Sequence, residues 1–422
     1  MIMRRRADDA GTWLIAGAVA LSLAALLGLL GLLVSAGLAP FWPAAVEEVH
    51  LRDGRVLLGE IVGGEVDAIA LRTSEIDHVG EGYRRVPLAQ IVARAQPADA
   101  IALVLADGRR LFGRGADAGE TALLAQAGRP AEVLETTRPN ALGGFARAGL
   151  FLHRLGRFIA TPPLASNLDG GVLPALIGTV TLVLLMSAIV MPLGIATAVY
   201  LHQRRGFGVR SVRAAINTLA GVPPIVYGVL GLGLFVHGIG GGIDRWFYAD
   251  RLPLPTFGGG GLLWAALTLA LLTLPVVVVS VEEGLSRIPA SLREGSLALG
   301  ATRDETLWRL LLPAARPAIL TGLVLAVARA AGAVAPLMLV GVVKLAPALP
   351  LDGTFPYLHP SRQFMHLGFE VYDAALASSD AIRGVPRAYA CALLLVGVVV
   401  ALNLSAILLR NRLRDRYREL ET

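Results

Sequence analysis

Six long apolar stretches, separated by polar segments of very different length, dominate the pattern of this chain. They cover residues 13–46, 172–201, 214–243, 252–281, 317–343 and 388–409. A helix needs about 20 apolar residues to cross the hydrocarbon core of a bilayer, and every stretch is long enough. Only the stretch at 317–343 contains a charged side chain, Arg329. The pattern predicts an all-α polytopic membrane protein with six transmembrane helices, rather than a large soluble helical core.

The first apolar stretch follows Arg4, Arg5 and Arg6, as the apolar region of a secretory signal peptide would. That region is about 7–15 residues long in a signal peptide, and this stretch is much longer. We therefore expect an uncleaved membrane anchor at residues 13–40, preceded by a cytoplasmic tail at residues 1–12.

Arginines are concentrated in loops on one side of the predicted membrane. Short cytoplasmic loops carry an excess of basic residues. The N-terminus, the loops after the second and fourth spans, and the tail at 411–422 are all basic. We expect a multi-pass membrane protein with both termini in the cytoplasm. Arg147, Arg154 and Arg157 precede the second span on the opposite side of the membrane. We therefore expect the first span, and not these arginines, to determine the orientation of the chain.

The longest polar segment, residues 41–140, contains two similar sequences. LRDGRVLLG at 51–59 and LADGRRLFG at 105–113 share the pattern L-x-D-G-R-x-L-x-G. Asp-Gly between short apolar runs is typical of a β-hairpin, because glycine has no Cβ to clash at positive φ. The pattern predicts a small β-rich periplasmic insert after the first helix, with two related halves. It is either a docking or regulatory module or a folded spacer.

Residues 141–170, between the insert and the second span, show the periodicity of an amphipathic helix. Apolar side chains recur at Phe145, Leu152 and Ile159, while the arginines take other faces. Such a helix lies in the interface of a membrane. We expect a surface-lying linker that acts as an elbow or as a tether.

The composition argues against several other classes of protein. The chain is 55% apolar and 17% charged, which is too apolar for a disordered chain and unlike a soluble enzyme. A single cysteine, Cys391, excludes an intrachain disulfide and a cysteine-rich metal site. The formal charge of +6 is carried by loop arginines, which suits lipid headgroups better than nucleic acid.

Nucleotide chemistry is also missing from the sequence. A P-loop requires Gly-Lys-Ser/Thr, and the only lysine, Lys344, follows a valine and precedes a leucine. We therefore expect a chain that is not an enzyme, with no catalytic residue, metal or cofactor of its own. Any ATP must bind to another subunit.

The segment between the fourth and fifth spans, residues 284–316, has strong local signals. Ser291 with Glu294, and Thr302 with Glu305, both fit the capping-box pattern S/T-x-x-E. Gly300 stands where a helix would end in the left-handed conformation. Small side chains at 295, 296, 298 and 301 let a partner surface approach closely. The pattern predicts a short helix, a glycine joint and a second short helix in the cytoplasm.

This segment resembles the EAA motif of ABC importer permeases, E-A-A-x3-G-x9-I-x-L-P, with Gly295 and Ser296 in place of the alanines and Leu310 in place of the isoleucine. The resemblance implies a coupling helix that docks into a groove of a separate ATPase subunit, which binds ATP and Mg. The residues implied for this docking are Glu294, Gly295, Ser296, Leu299, Gly300, Ala301, Leu312 and Pro313.

Further segments in the same order are similar to the phosphate-importer permeases of the PstA type. They include NTLAGVPPIVYGVLGLG at 217–233, ARAAGAVAPLMLVG at 328–341 and QFMHLGFEVYD at 363–373. The resemblance implies a type I importer core at 171–410, extended by the insert. The implied partners are an ATPase dimer, a periplasmic phosphate-binding protein, and a second permease that is PstC-like or a second copy of this chain.

Arg329 is the candidate for attracting the anion during import. A central arginine in a membrane helix normally faces a cavity or a partner, and a guanidinium holds phosphate bidentately. The alternative interpretation is that Arg329 forms an ion pair within the protein or extends its guanidinium to the membrane interface. The family usually places glutamate where this chain has Ala333, so either the pathway is more positive or a partner's carboxylate compensates. Tyr227, Asn217 and Thr179 either line the path or bond to helix backbone.

The resemblance thus implies alternating access that moves inorganic phosphate inward. One alternative is the same architecture with another oxyanion, such as phosphonate, molybdate or sulfate. A second alternative is a membrane-anchored sensor or scaffold whose working part is the insert. A proton-driven transporter would need carboxylates in the membrane, and the second to sixth spans show none near mid-depth.

Overall fold

The structure is a computed structural model that describes residues 2–64, 67–74, 83–105, 109–115, 132–164, 170–378 and 381–418. It divides into two compact units. The first comprises Met1–Val172 and Ala374–Leu393, and the second comprises Leu173–Asp373 and Leu394–Thr422.

The first unit combines helices with a β-rich insert. Helix α1 is Ile2–Leu38 and helix α2 is Gly144–Ala160. The strands between them are β1 (Val46–Leu51), β2 (Val56–Gly64), β3 (Ala68–Thr73), β4 (Tyr83–Pro87), β5 (Ile91–Ala95), β6 (Ala100–Leu105), β7 (Arg110–Arg114) and β8 (Val133–Thr137). The prediction of a small β-rich insert after the first helix is confirmed.

The strands form two antiparallel sheets, ordered β4-β3-β2-β1-β5 and β7-β6-β8. The two similar sequences form corresponding hairpins, β1–β2 and β6–β7. In each hairpin the leucine that opens the motif donates its backbone N–H to the carbonyl of the motif's arginine, at 2.9 Å from Leu51 to Arg55 and at 2.9 Å from Leu105 to Arg109. The turn at 106–108 lies outside the described residues.

Each sheet has an apolar core and shares contacts with the other. Val49 and Leu71 are fully buried in the larger sheet, and Leu103 in the smaller one, as strand alternation requires. The side-chain amide of Asn140 donates to the carbonyls of Val46 and Pro97, both at 2.8 Å. These bonds fasten the end of the insert to its first strand.

The second unit is helical. Its main helices are α3 (Leu173–Gln203), α4 (Phe207–Gly221), α5 (Pro224–Leu230), α6 (Gly241–Phe247), α7 (Leu262–Ser286), α8 (Ala290–Ala298), α9 (Arg303–Glu305), α10 (Leu312–Ala314), α11 (Arg316–Ala331), α12 (Leu337–Val340), α13 (Leu367–Tyr372) and α14 (Ala381–Arg418). Helix α14 begins in the first unit and continues in the second. Leu182 and Met186 of α3 and Leu269 of α7 are fully buried in the core.

Within the described residues, five helices are long and apolar enough to cross a membrane. They are Thr12–Phe41, Leu173–Gln203, Pro224–Phe247, Leu262–Ser286 and Gly384–Leu408. A bent pair, Arg303–Ala314 with Arg316–Ala331, becomes the sixth if it is counted as one span. The prediction of an all-α membrane protein with six spans is confirmed in this form. In the bent pair, Arg316–Ala331 is the helix within the predicted span, and residues 303–314 belong to the segment that the sequence predicts outside the membrane.

The prediction that residues 214–243 form one helix is wrong. Helix α4 ends at Gly221, and Val222 is extended at φ −75° and ψ 132°. Proline disfavours helical backbone at the residue before it, so Pro223 stops the helix. The span itself runs Pro224–Phe247, and its middle, Gly231–Gly240, is a π-helix.

The prediction of one helix at 317–343 also needs correction. Helix α11 ends at Ala331, and the chain bends by 62° just before it begins. The apolar residues after Ala331 pack inside the protein, since Leu337 and Val340 are fully buried. Gly341 has φ +147°, and a Cβ there would lie 2.4 Å from the backbone nitrogen of Gly261. Apolar length therefore overestimates this helix.

Candidate functional site

The segment between α7 and α11 folds as a helix, a glycine joint and a second helical arm, as predicted. Helix α8 begins after Pro289, which is its N-cap, so Ser291 lies inside the helix and its predicted capping box is wrong. The capping box at Thr302 is present. The hydroxyl of Thr302 accepts from the backbone nitrogen of Glu305 at 3.2 Å, and the carboxylate of Glu305 accepts from the backbone of Thr302 at 2.9 Å.

The joint at Gly300 is a complete Schellman motif. The N–H of Gly300 donates to the carbonyl of Leu297 at 3.0 Å, and the N–H of Ala301 donates to that of Ser296 at 3.2 Å. This pair of bonds needs a left-handed residue between them, and Gly300 has φ +87°. The glycine therefore determines the angle between the two arms.

A side-chain contact then fixes the two arms to each other. The hydroxyls of Ser296 and Thr306 lie 3.0 Å apart, and Thr306 is buried. Thr306 opens a π-helix, Thr306–Leu311, which leads through α10 towards α11. The contact therefore joins α8 to the arm that precedes α11.

The predicted docking residues fall into two groups in the structure. Glu294, Gly295 and Gly300 are exposed, and the side chain of Leu299 is 91% exposed at the joint. Leu312, in contrast, is buried in the helical core. A Cβ at Gly295 would meet no atom within 4 Å, so this chain's own packing does not require glycine there. Their role in docking stays a prediction.

The joint also presents unpartnered apolar surface. Leu292 and Leu297 of α8 are exposed together with Leu299, and Trp308 on the second arm is 69% exposed. A group of large apolar side chains on a water-facing segment is typical of a protein interface. The arrangement suits a partner with an apolar groove.

Two of the predicted path residues differ in exposure. Arg329 lies in the last turn of α11 and is exposed, so it stands at the end of its helix rather than in the middle. Tyr227 is 2% exposed, and its hydroxyl donates to the carbonyl of Leu219 at 2.5 Å.

The other two predicted path residues have different surroundings. Thr179 is fully buried, donates to the carbonyl of Ala175 at 2.7 Å and accepts from the backbone nitrogen of Leu367 at 2.9 Å. It therefore fastens the start of α13 to α3. Asn217 is exposed in α4, on the other side of the Pro223 break from Tyr227. Their roles in the path stay predictions.

Sequence reasoning did not single out a buried polar group around α13. Lys344 lies 2.8 Å from the buried carboxylate of Asp373, and Glu370 is buried nearby in the sequence. Burial lowers the pKa of His366 to about 4, so its ring is neutral at neutral pH, and its Nδ1 accepts from the N–H of Gly368 at 3.1 Å. The signal in the sequence that could have indicated this group is the presence of charged residues within an otherwise apolar segment.

Removal of the Thr302 cap should loosen the second arm. Replacing an N-cap threonine with alanine costs about 1 kcal/mol, so in Thr302→Ala the amides of residues 303–306 should exchange with solvent about fivefold faster. Hydrogen-exchange mass spectrometry measures this directly. Thr218→Ala is the matched control, since Thr218 is exposed within α4 and bonds only its own helix, at Ala214. Equal protection in both variants would contradict the role of the cap.

The same cap has a defined pH dependence. Hydrogen bonds from the backbone and hydroxyl of Thr302 hold the pKa of Glu305 below its usual range. A lowered carboxyl pKa stabilises the folded arm above the pKa of the unfolded chain, and that contribution is lost as pH falls through the folded-state pKa. Protection of residues 303–306 should therefore persist at neutral pH and decline only on acidification.

The described residues thus combine apolar helices long enough to cross a membrane with an exposed helix–glycine–helix segment, which leads to a helix that carries Arg329 in its last turn. Residues 190–419, more than half of the 422 residues, match the family described as "Binding-protein-dependent transport system inner membrane component". The chain belongs to this family. The β-rich insert lies outside the matched residues.

Several relatives are similar over much of this region. The "Phosphate transport system permease protein PstA 1" of Mycobacterium tuberculosis (strain CDC 1551 / Oshkosh) is 32% identical over 273 residues, which is 64% of this chain and 79% of that protein. The "Probable ABC transporter permease protein YqgH" of Bacillus subtilis is 35% identical over 192 residues, 45% of this chain and 59% of that protein. The "Phosphate transport system permease protein PstC" of Xylella fastidiosa (strain Temecula1) is 30% identical over 254 residues, 58% and 73% of the two chains.

Proposed function

We propose that this chain is a permease subunit of an ATP-driven importer of inorganic phosphate. The observation that carries the proposal is the 32% identity over 273 residues to a phosphate transport permease of the PstA type. Membership of the binding-protein-dependent family supports it. The exposed segment made of α8, the joint at Gly300 and the second arm at residues 302–311 also supports it, and we call this segment the lever. A transporter whose ATP is hydrolysed by another subunit needs a surface on which that subunit acts.

The partners follow from this assignment. A cytoplasmic ATPase dimer holds ATP and Mg and docks on α8 and the joint at Gly300. A second permease subunit, PstC-like or a second copy of this chain, completes the pathway, and a periplasmic binding protein delivers the anion. The arginine-rich loops support an orientation with both termini and the lever in the cytoplasm and the insert on the periplasmic side.

The lever and the anion site are connected along one stretch of chain. Closure of the ATPase moves α8, the Schellman joint and the Ser296–Thr306 contact carry the second arm with it, and that arm continues across the 62° bend into α11. Arg329 stands in the last turn of α11. Displacement of the lever therefore moves Arg329, and alternating access needs such a movement of the anion site.

Arg329 supplies the recognition of an oxyanion. Phosphate at neutral pH carries one or two negative charges, and a guanidinium is always protonated and offers a planar pair of donors. Ala333, one turn beyond Arg329, contributes no carboxylate to neutralise it. An arginine without a local acidic neighbour attracts anions more strongly, so the pathway favours a charged substrate.

Uptake by the reconstituted complex tests the proposal. In proteoliposomes containing both permeases, the ATPase and the binding protein, ATP should drive accumulation of radiolabelled phosphate. Excess unlabelled phosphate should compete, whereas equal concentrations of sulfate, molybdate or phosphonate should not. Accumulation of one of these other oxyanions in place of phosphate, or no ATP-driven accumulation at all, would contradict it. Liposomes loaded with ADP serve as the control.

A further inference from the structure

Two arginines of helix α2 face the β-rich insert, and the proposed transport function does not use this arrangement. The guanidinium of Arg154 donates to the carboxylate of Glu135, on strand β8, at 2.7 and 3.0 Å. The guanidinium of Arg147 donates to the carbonyl of Pro139 at 3.4 Å. A helix on the surface of a soluble protein turns its charged face to solvent, whereas α2 turns these charges towards the protein.

The opposite face of α2 is apolar and exposed. Phe145 and Leu152, two turns apart, are 99% and 64% exposed. Small exposed residues complete the same face, and they are Ala148, Gly149 and Gly156. A Cβ at Gly149 or Gly156 would meet no atom within 4 Å, so the space beside this face is open. Large apolar side chains on an uncharged, open face are typical of contact with a partner surface or a membrane.

Helix α2 is attached to the end of α1 by two aromatic contacts. Phe41 contacts Phe158 with ring centroids 5.0 Å apart, and Trp42 contacts Phe151 with centroids 5.8 Å apart. Phe41 and Trp42 are consecutive, whereas Phe151 and Phe158 are separated by about 10 Å along the helix axis. Helix α2 therefore runs across the end of α1. Trp42 is half exposed there, and tryptophan is enriched at the interface of a membrane with water.

The last turn of α2 is attached where two other predicted spans begin. The carbonyl of Phe158 accepts from the backbone nitrogen of Val172 at 2.8 Å, and α3 begins at the next residue. The guanidinium of Arg387, in the first turns of α14, lies over the ring of Phe158, 5.7 Å from its centroid. In a chain with six spans, the end of the first and the starts of the second and sixth lie on the same side of the membrane. Helix α2 therefore lies at that membrane surface.

We propose that α2 is an anchor that holds the β-rich insert against the lipid bilayer, at the membrane surface where α1 ends. Phe145 and Leu152 enter the acyl region of the bilayer, where they continue the exposed apolar surface of α1, as at Leu27. Interfacial helices commonly combine such burial with the attraction of basic residues to anionic lipids. Here Arg154 binds Glu135 of the insert instead, so the anchor depends on apolar burial and does not require anionic lipid.

Nitroxide labels on the full chain in phosphatidylcholine vesicles test the proposal. Cys391 is the only cysteine, so Cys391→Ala provides a background in which single labels are attached. Phe145→Cys and Leu152→Cys place a label on the outward face. His153→Cys is the matched control, because His153 is exposed next to Leu152 but lies about 100° further round the helix. Leu27→Cys, in α1, verifies that the chain is inserted in the bilayer.

Power saturation with oxygen, which concentrates in the bilayer, and with a water-soluble nickel chelate measures the depth of each label. The labels at positions 145 and 152 should lie about 5–10 Å below the lipid phosphate groups, and the label at position 153 should lie at the phosphates or above them. These depths should be the same in phosphatidylglycerol vesicles and in about 1 M NaCl, where charges more than about 3 Å apart are screened.

A charge on the outward face provides a second test. With the label at position 145, Leu152→Glu should move the label into water, whereas His153→Glu should leave its depth unchanged. Circular dichroism should show equal helical content in both variants. The experiment uses neither ATP nor phosphate, so its result is independent of the proposed transport function.

Three results would overturn the proposal. Labels at 145 and 152 that are no deeper than the label at 153 would show that the face lies in water. Labels shielded from both oxygen and the nickel chelate would show that a protein surface covers the face instead of lipid. Insertion that requires phosphatidylglycerol and is lost in NaCl would show that the arginines, and not the apolar face, bind the membrane.

Discussion

Replacing Gly300 with valine should lower ATP-driven phosphate uptake at least about tenfold while the membrane-embedded helices stay folded. Gly300 has φ +87°, and a Cβ there would meet no atom within 4 Å. The penalty is therefore conformational rather than a clash. A left-handed backbone costs an ordinary residue roughly 1–2 kcal/mol, and a β-branched side chain makes it worse. The joint then opens, and the two arms lose their fixed angle.

Two further variants make this prediction sharp. Gly300→Asn should keep most of the uptake, because asparagine tolerates the left-handed conformation. Gly353→Val is the control for a glycine-to-valine change, since Gly353 has open space around it and no positive φ. Co-purification of the ATPase should fall only in Gly300→Val. Normal uptake and normal ATPase retention in that variant would remove the lever from the mechanism.

The lever was predictable because its signals are local. Gly300 and the pair Thr302 and Glu305 act through their own backbone within one turn, so a single sequence contains the information. Ser291 shows the limit of this approach. It fits the same four-residue pattern, but Pro289 had already provided the N-cap, and two competing start signals cannot be ranked by pattern alone.

The membrane spans were predicted in number but not in all their bounds. Apolar length does not distinguish residues that face lipid from residues that pack inside the protein. Residues 337–343 continued the fifth apolar stretch because Leu337 and Val340 are buried in the core. The sequence Val222-Pro223 indicated the break before the third span. For the bounds of a helix, a proline should count for more than an uninterrupted apolar stretch.

One cavity of the first unit is lined by Arg72, Arg110, Arg154, Arg157 and Arg387. This grouping could not be predicted, because these arginines come from distant parts of the chain. Arg72, Arg110, Arg154 and Arg387 lie on strands and helices that only the fold brings together. Arg154 and Arg157 were visible as an exception to the orientation rule. The structure supplies a reason, since both lie against Glu135 and their charge is partly neutralised within the protein. A basic segment whose arginines pair with a carboxylate in the folded protein should therefore influence the membrane orientation less than an unpaired basic segment.

Replacing Arg329 with glutamine should lower phosphate flux at least about tenfold, since a charge-assisted hydrogen bond to the anion contributes about 1.5–3 kcal/mol. Arg329→Lys should have intermediate flux, because it keeps the charge but loses the planar pair of donors. Arg329 is exposed in the last turn of α11, whereas the hydroxyl of Tyr227 donates to a backbone carbonyl. Tyr227→Phe, which removes the hydroxyl bonded to Leu219, should therefore leave the charge in place and cost less flux than Arg329→Gln.

Initial rates of radiolabelled phosphate uptake into proteoliposomes, with the ATPase co-purifying normally, are the measurement for Arg329. Arg204→Gln removes the same charge from an exposed position just after α3 and should leave the rate unchanged. Both variants lower the net charge of the chain by one. A loss of uptake confined to Arg329→Gln therefore assigns the effect to this position rather than to the net charge of the protein. Equal rates in Arg329→Gln, Arg204→Gln and the unmodified chain would show that the guanidinium is no part of the anion pathway and leave the Schellman lever to act on some other group.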